Sequence, residues 1–283
     1  MGEQRAGALK NVALAALVLG GMCALPTCAS VAVSVALLGT AYAFGGATAL
    51  SYAYAYLAGN PAVFGVVVYA AMAAPTLAWY YVSTTRQGRG LREVAPPEGI
   101  SLRDVAALLL VAVGLQGLVT GIMQGFQAVA PWAFEEYADL VSSSGMTDYS
   151  LAWLVGTAVL PPLVEEASFR GLGLGYLRRA GAPFWLANLA QAVMFGVFHG
   201  NLVQGVYAAA LGLVLGLLVY RYGSIVAPMA VHAAFNVLGT LGNDAVGLLP
   251  PVVQDVVPLA EFALFCVMMA VLFRPGRPPI RRP

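Results

Sequence analysis

Long apolar runs separated by short turn-forming stretches make up this chain, and their spacing predicts its elements. In the second half the runs cover residues 103 to 130, 150 to 177, 184 to 200, 202 to 220, 225 to 243 and 250 to 273. Several reach the ~20 residues that a helix needs to cross a hydrocarbon core of ~30 Å. Strands alternating apolar and polar residues are absent, so helices rather than a barrel must satisfy the backbone. Residues 11 to 85 divide less readily: Gly59-Asn60-Pro61 marks one turn, and the remaining apolar sequence fits three longer or four shorter helices. The expected fold is all-α, a polytopic transmembrane helical bundle of about eight to ten spans, eight if one long stretch is a single tilted or re-entrant element.

Most charges lie in or beside the connectors and sort these into two sets. Pro131 to Ser150 carries Glu135, Glu136, Asp139 and Asp148 without a lysine or arginine, and Asn243-Asp244 likewise lacks basic residues. Arg86, Arg89, Arg92, Arg103, Arg178, Arg179, Arg221, Arg274, Arg277, Arg281 and Arg282 fall on the opposite side. The positive-inside rule makes that side, and the C-terminus, cytoplasmic. Three spans in the first half leave Arg5 and Lys10 outside, and four keep them inside. The stretch 86 to 104, with Pro96-Pro97 and mixed charges, reads as an interfacial loop or short surface helix. Residues 1–102 then hold the N-terminal helices and this loop, 103–273 a membrane core, and 274–283 a basic tail. The first 30 residues imitate a secretory signal, but apolar sequence continues well past Ser30, which favours a retained first span.

Composition agrees with an integral membrane protein: 60% of residues are hydrophobic, 10% are charged, and mean hydropathy is +0.81. The expected surroundings are the lipid bilayer, in the plasma (inner) membrane of a prokaryote. A net charge of +1 without a long basic run gives no sign of a nucleic-acid partner. Cys23, Cys28 and Cys266 lie in apolar runs without metal-ligand spacing and read as packing residues.

Against this background Glu165-Glu166-Ala167-Ser168-Phe169-Arg170 stands out. A charged group at membrane depth costs at least ~2.5 kcal/mol on insertion scales, so such a cluster must face a polar interior. Pro161-Pro162 stands just before it, where proline kinks or restarts a helix. Glu166 and Arg170 are four apart and share a helix face, whereas Glu165 is rotated by about 100° from Glu166. Arg170 would hold Glu166 ionised and leave Glu165 free to act on a water; a structural ion pair locking two helices fits the same residues. The only two histidines follow on later runs, in Phe195-Gly196-Val197-Phe198-His199 and His232-Ala233-Ala234-Phe235-Asn236. Phe195 and His199 share one helix face, as do His232 and Asn236. The latter pair suits two hydrogen bonds to one oxyanion, or equally polar contacts between helices. At ~1.5 Å per residue Glu165 and His199 lie at comparable depths, roughly 20 Å from the basic ends of their helices, while His232 lies nearer its basic end and needs tilt, or a break at Pro228, to meet them. Ser168 and the glycines at 171, 173, 175, 212 and 216 read as packing positions.

The series E-E-x-x-x-R, F-x-x-x-H and H-x-x-x-N on consecutive membrane helices resembles the CAAX prenyl protease and bacteriocin-processing family, also called the ABI family of intramembrane proteases. The resemblance covers roughly residues 103 to 243. It implies a helical membrane endopeptidase with its catalytic cavity among the later helices and a membrane-associated peptide or protein as substrate. Glu165 and His199 would activate water, His232 and Asn236 would stabilise the tetrahedral oxyanion, and Glu166, Arg170 and Phe195 would support the site. Members have been described both as metal-dependent and as glutamate proteases. A zinc ion would take Glu165, His199 and His232, but it would occupy the groups needed as base and oxyanion donor, so the expected site has no metal and no other cofactor. Other proteolytic signatures, H-E-x-x-H, G-x-S-x-G and G-x-G-D, are missing. A proton-coupled transporter using the same carboxylates and imidazoles, or a non-catalytic membrane scaffold, are the competing functions.

Overall fold

The computed structural model describes residues 2–86, 100–144 and 149–274. Most of the expected interfacial stretch, Asp148 and the basic tail from 275 onward lie outside the described residues. Among the described residues every element is helical: α1 (Gly2–Gly59), α2 (Pro61–Thr85), α3 (Leu102–Val129), α4 (Pro131–Ser143), α5 (151–179), α6 (Phe184–Phe198), α7 (Leu202–Tyr222), α8 (226–247) and α9 (Pro251–Leu272). Five of these, α1, α2, α3, α7 and α9, are individually long and apolar enough to cross a membrane. The other runs read as spans fall on α6, which is short, and on α5 and α8, whose α-helical hydrogen bonding gives way to π turns.

The first half holds α1, two helical stretches joined across a kink, and α2. Gly59-Asn60-Pro61 does end a helix, with Pro61 at the first helical position, but Pro26 leaves α1 unbroken. The one interruption is Gly46 at φ 63°, ψ −155°, a backbone conformation that side-chain-bearing residues avoid. Lys10, Arg86 and Arg179 line one cavity, so the start of α1 shares an end of the bundle with the close of α2 and of α5. Helices α3 and α9 run antiparallel, Gly114 against Phe265 and Gly117 against Pro258, which brings Arg103 and Arg274 to a common end. At the opposite end Tyr149 donates a hydrogen bond to Asp244, joining the two acidic connectors.

Residues 131–143, expected as part of a connector, form α4. Pro131 starts it without losing a helical hydrogen bond, Ala133 is buried, and Glu135, Glu136 and Asp139 are exposed. Tyr137 and Tyr207 share a hydroxyl hydrogen bond of 3.2 Å that fixes α4 beside the first turns of α7.

Helix α6 packs closely on α7. A Cβ on Gly216 would overlap the Asn188 side chain, and one on Gly212 would press on Ala192. The close approach lets Asn188 donate to the Leu213 carbonyl at 3.0 Å and Gln191 to the Gly212 carbonyl at 3.0 Å. Small residues and interhelical amide bonds thereby hold together the hairpin that carries His199. Of the cysteines, Cys23 is partly buried and donates to the Leu19 carbonyl, whereas Cys28 and Cys266 are exposed on helix surfaces rather than packed inside.

Candidate active site

The acidic motif lies where α5 changes character. Leu160–Glu165 is α-helical, and Glu166–Leu174 widens into π turns, an arrangement enriched at functional sites. Glu165, Glu166, Ser168 and Arg170 are all buried. Arg170 Nη1 donates to Glu166 Oε1 at 2.9 Å, and the guanidinium lies 4.2 Å over the Phe195 ring. The second oxygen of Glu166 and the Nε and Nη2 of Arg170 have no hydrogen-bond partner among the described residues. Ser168 bonds back to the Val164 carbonyl, as a packing residue would.

His232 joins the two glutamates. Its Nδ1 is 2.9 Å from Glu166 Oε1, and its Nε2 is 3.7 Å from Glu165 Oε2. A carboxylate only accepts, so Nδ1 carries the proton and Nε2 faces Glu165. At 3.7 Å that second contact is longer than a hydrogen bond, which keeps Nε2 available to an incoming group. The geometry does not come from a break at Pro228. Helix α8 runs unbroken through that proline, which sits in its first turn where the missing N–H costs nothing. Instead α8 begins already buried, with Ser224, Ile225 and Ala227 all inside.

His199 caps the far end of α6. With fifteen residues this helix is about 22 Å long, shorter than a ~30 Å hydrocarbon core. Nδ1 of His199 is 2.9 Å from the Phe195 carbonyl, which fixes the proton on Nδ1 and leaves the Nε2 lone pair free. Phe195 is the hub between the imidazoles, with ring centroids 4.8 Å from His199 and 5.8 Å from His232, both edge-on.

Asn236 is anchored in a way the sequence half announced. Its Nδ2 donates to the Thr157 carbonyl at 2.9 Å. In an α-helix that carbonyl would accept from residue 161, and in a π turn from residue 162; both are prolines and neither has an N–H. Pro161-Pro162 thus strips one carbonyl of its helical partners, and the Asn236 amide satisfies it. One of its two N–H groups is spent on α5, leaving the other for a ligand.

Two positioning groups carry no sequence signal. Tyr69 on α2 donates to Glu165 Oε1 at 2.7 Å, and Gln116 on α3 donates to the Phe235 carbonyl of α8 at 2.9 Å. Each is a polar residue within an apolar helix of the part of the chain that the motifs do not reach, or only border. For Thr157 a signal existed: two successive prolines inside a helix require an outside donor.

Direct contact therefore brings together Glu165, Glu166, Arg170 and His232. His199 joins them through Phe195, and Asn236 stands one turn beyond His232, tied to α5. Among the described residues no three His, Cys, Asp or Glu side chains are grouped as they would be around a metal ion. Residues 147–238 match the family model described as Type II CAAX prenyl endopeptidase Rce1-like, a span that contains all three motifs. No curated protein and no solved structure matches the chain.

Proposed function

We propose that the Rce1-like domain of this chain is a glutamate-type intramembrane endopeptidase that hydrolyses a peptide bond of a membrane-associated substrate. The observation that carries this reading is the buried chain Arg170–Glu166–His232 ending at 3.7 Å on Glu165, whose other oxygen is held by Tyr69. Glu165 removes a proton from water while the water oxygen attacks the scissile carbonyl. The Nε2 lone pair of His199 orients that water, and the proton taken up by Glu165 passes to the departing amine as the C–N bond breaks. As an imidazolium, His232 donates from Nδ1 to Glu166 and from Nε2 to the oxyanion, and the remaining Asn236 N–H is the second oxyanion donor. Arg170 offsets the charge of Glu166, so Glu166 holds the ring without competing for the reacting water.

A purely structural ion pair is the bland alternative. It is disfavoured because the network does not end at Arg170 and Glu166 but continues through His232 to Glu165, whose other oxygen Tyr69 holds.

The positive-inside rule orients the bundle with Lys10, Arg86, Arg178 and Arg179 in the cytoplasm and α4 outside. On that reading the chain crosses the membrane of a prokaryote about eight times, with α1 one long kinked element and the C-terminus cytoplasmic. The test is peptidomics of membranes expressing the wild-type chain against Glu165→Ala. One or more membrane-associated peptides accumulate cleaved only with wild type. Identical profiles, with both proteins inserted at equal levels, would refute the proposal. Flux of a solute into sealed vesicles without a peptide product would instead favour a transporter.

A further inference from the structure

We propose that the basic end of the bundle binds one anionic phospholipid between α1, α2 and α5, independently of the peptidase reaction. Two adjoining cavities define the site. The upper one, about 320 Å³, is lined by Lys10, Asn11, Ser83, Arg86 and Arg179 with Trp79 at its base. The lower one, about 260 Å³, is lined by Leu17, Gly21, Met22, Leu25 and Thr76, with Trp79 again at the boundary. Among the described residues no acidic side chain lines either cavity. The pair therefore has the polarity of a single lipid molecule, cationic above and apolar below.

The boundary between the two is built rather than incidental. Trp79 Nε1 donates to the Tyr176 hydroxyl at 3.0 Å, and that hydroxyl donates to Ser83 at 3.1 Å. Arg179 stacks at 4.4 Å over the Tyr176 ring. Tryptophan and tyrosine so placed mark the level where headgroups meet acyl chains. Lys10 and Arg86 are exposed and make no side-chain hydrogen bond or ion pair among the described residues, so their charges face whatever enters. Along α1, Leu17 to Leu25 spans about 12 Å, most of the ~15 Å depth of one leaflet. A Cβ on Gly21 would meet nothing within 4 Å, so the groove has room for an acyl chain there.

The phosphate lies between Lys10 and Arg86 with Arg179 behind it, and one acyl chain follows α1 past Gly21. Charge selects the occupant: basic pockets between membrane helices recruit anionic headgroups, at about fivefold in affinity per cation.

Native mass spectrometry of the full chain, extracted from vesicles of equimolar phosphatidylglycerol and phosphatidylcholine, tests the site. Wild type retains one phosphatidylglycerol in preference to phosphatidylcholine. K10Q/R86Q, two exposed positions whose loss leaves the fold intact, lowers that preference about 25-fold. Gly21→Phe fills the groove and reduces retention of both lipids. Millimolar inorganic phosphate leaves the bound lipid in place. Unchanged preference in K10Q/R86Q, unchanged retention in Gly21→Phe, or displacement by phosphate alone would each overturn the proposal. The readout involves no cleavage, so its failure is distinct from failure of the peptidase reading.

Discussion

Replacing Pro161 or Pro162 with alanine restores a backbone N–H where the Thr157 carbonyl would ordinarily find its partner. That carbonyl now accepts from Asn236 at 2.9 Å. A restored helical bond would draw it back along the α5 axis and weaken the anchor of the proposed oxyanion donor. A neutral hydrogen bond of this kind contributes about 0.5–1.5 kcal/mol, so the turnover rate should fall about two- to tenfold. Stability should move differently. Proline inside a helix costs up to about 3 kcal/mol relative to alanine, and that gain offsets the packing lost when the buried ring is trimmed. The signature is slower cleavage of the peptide identified by membrane peptidomics, without a lower melting temperature. A double-mutant cycle makes it decisive: in an Asn236→Ala background either proline substitution should change the rate little, giving a coupling of about 1 kcal/mol. Equal losses in both backgrounds would show that the prolines act by another route and refute the link.

Three further outcomes follow from the same geometry. Tyr69→Phe removes a 2.7 Å hydrogen bond to the Glu165 carboxylate and should lower kcat/KM about tenfold to hundredfold with the fold intact, measured as initial rates in proteoliposomes. Arg170→Met leaves the buried Glu166 without its cation and should destabilise the protein by about 3–5 kcal/mol, with much of that loss recovered in Glu166→Gln/Arg170→Met, as read by thermal unfolding in detergent. Activity of the purified enzyme should survive strong chelators, and its metal content by elemental analysis should not track its rate; restoration of an inactive chelated sample by zinc would overturn the metal-free mechanism.

Much of the second half was legible because its helices end at strong turn signals. The runs at 103 to 130 and 250 to 273 became Leu102–Val129 and Pro251–Leu272, and the run at 202 to 220 became Leu202–Tyr222. In the same way E-E-x-x-x-R and the histidine of H-x-x-x-N could be read as neighbours, since spacing of four fixes a helix face and charge at membrane depth must be gathered inward. The first half resisted division because α1 and α2 are apolar all round, so periodicity gave no face, and Pro26 proved compatible with a continuous helix while Gly46 did not. The α4 helix was hidden by its charges, which suggested a loop although they occupy one exposed face. Tyr69 was hidden for the opposite reason: one tyrosine among many in apolar helices acquires meaning only when the fold brings it to a carboxylate 96 residues away.

Single-turnover cleavage in ¹⁸O-labelled water reads out whether Glu165 delivers water to a peptide carbonyl. Purified wild-type protein should place one labelled oxygen in the new C-terminal carboxylate of the product, with no covalent acyl-enzyme trapped, while Glu165→Gln should yield no product. Cleavage by Glu165→Gln at the wild-type rate, or an acyl-enzyme adduct on any side chain, would contradict the account.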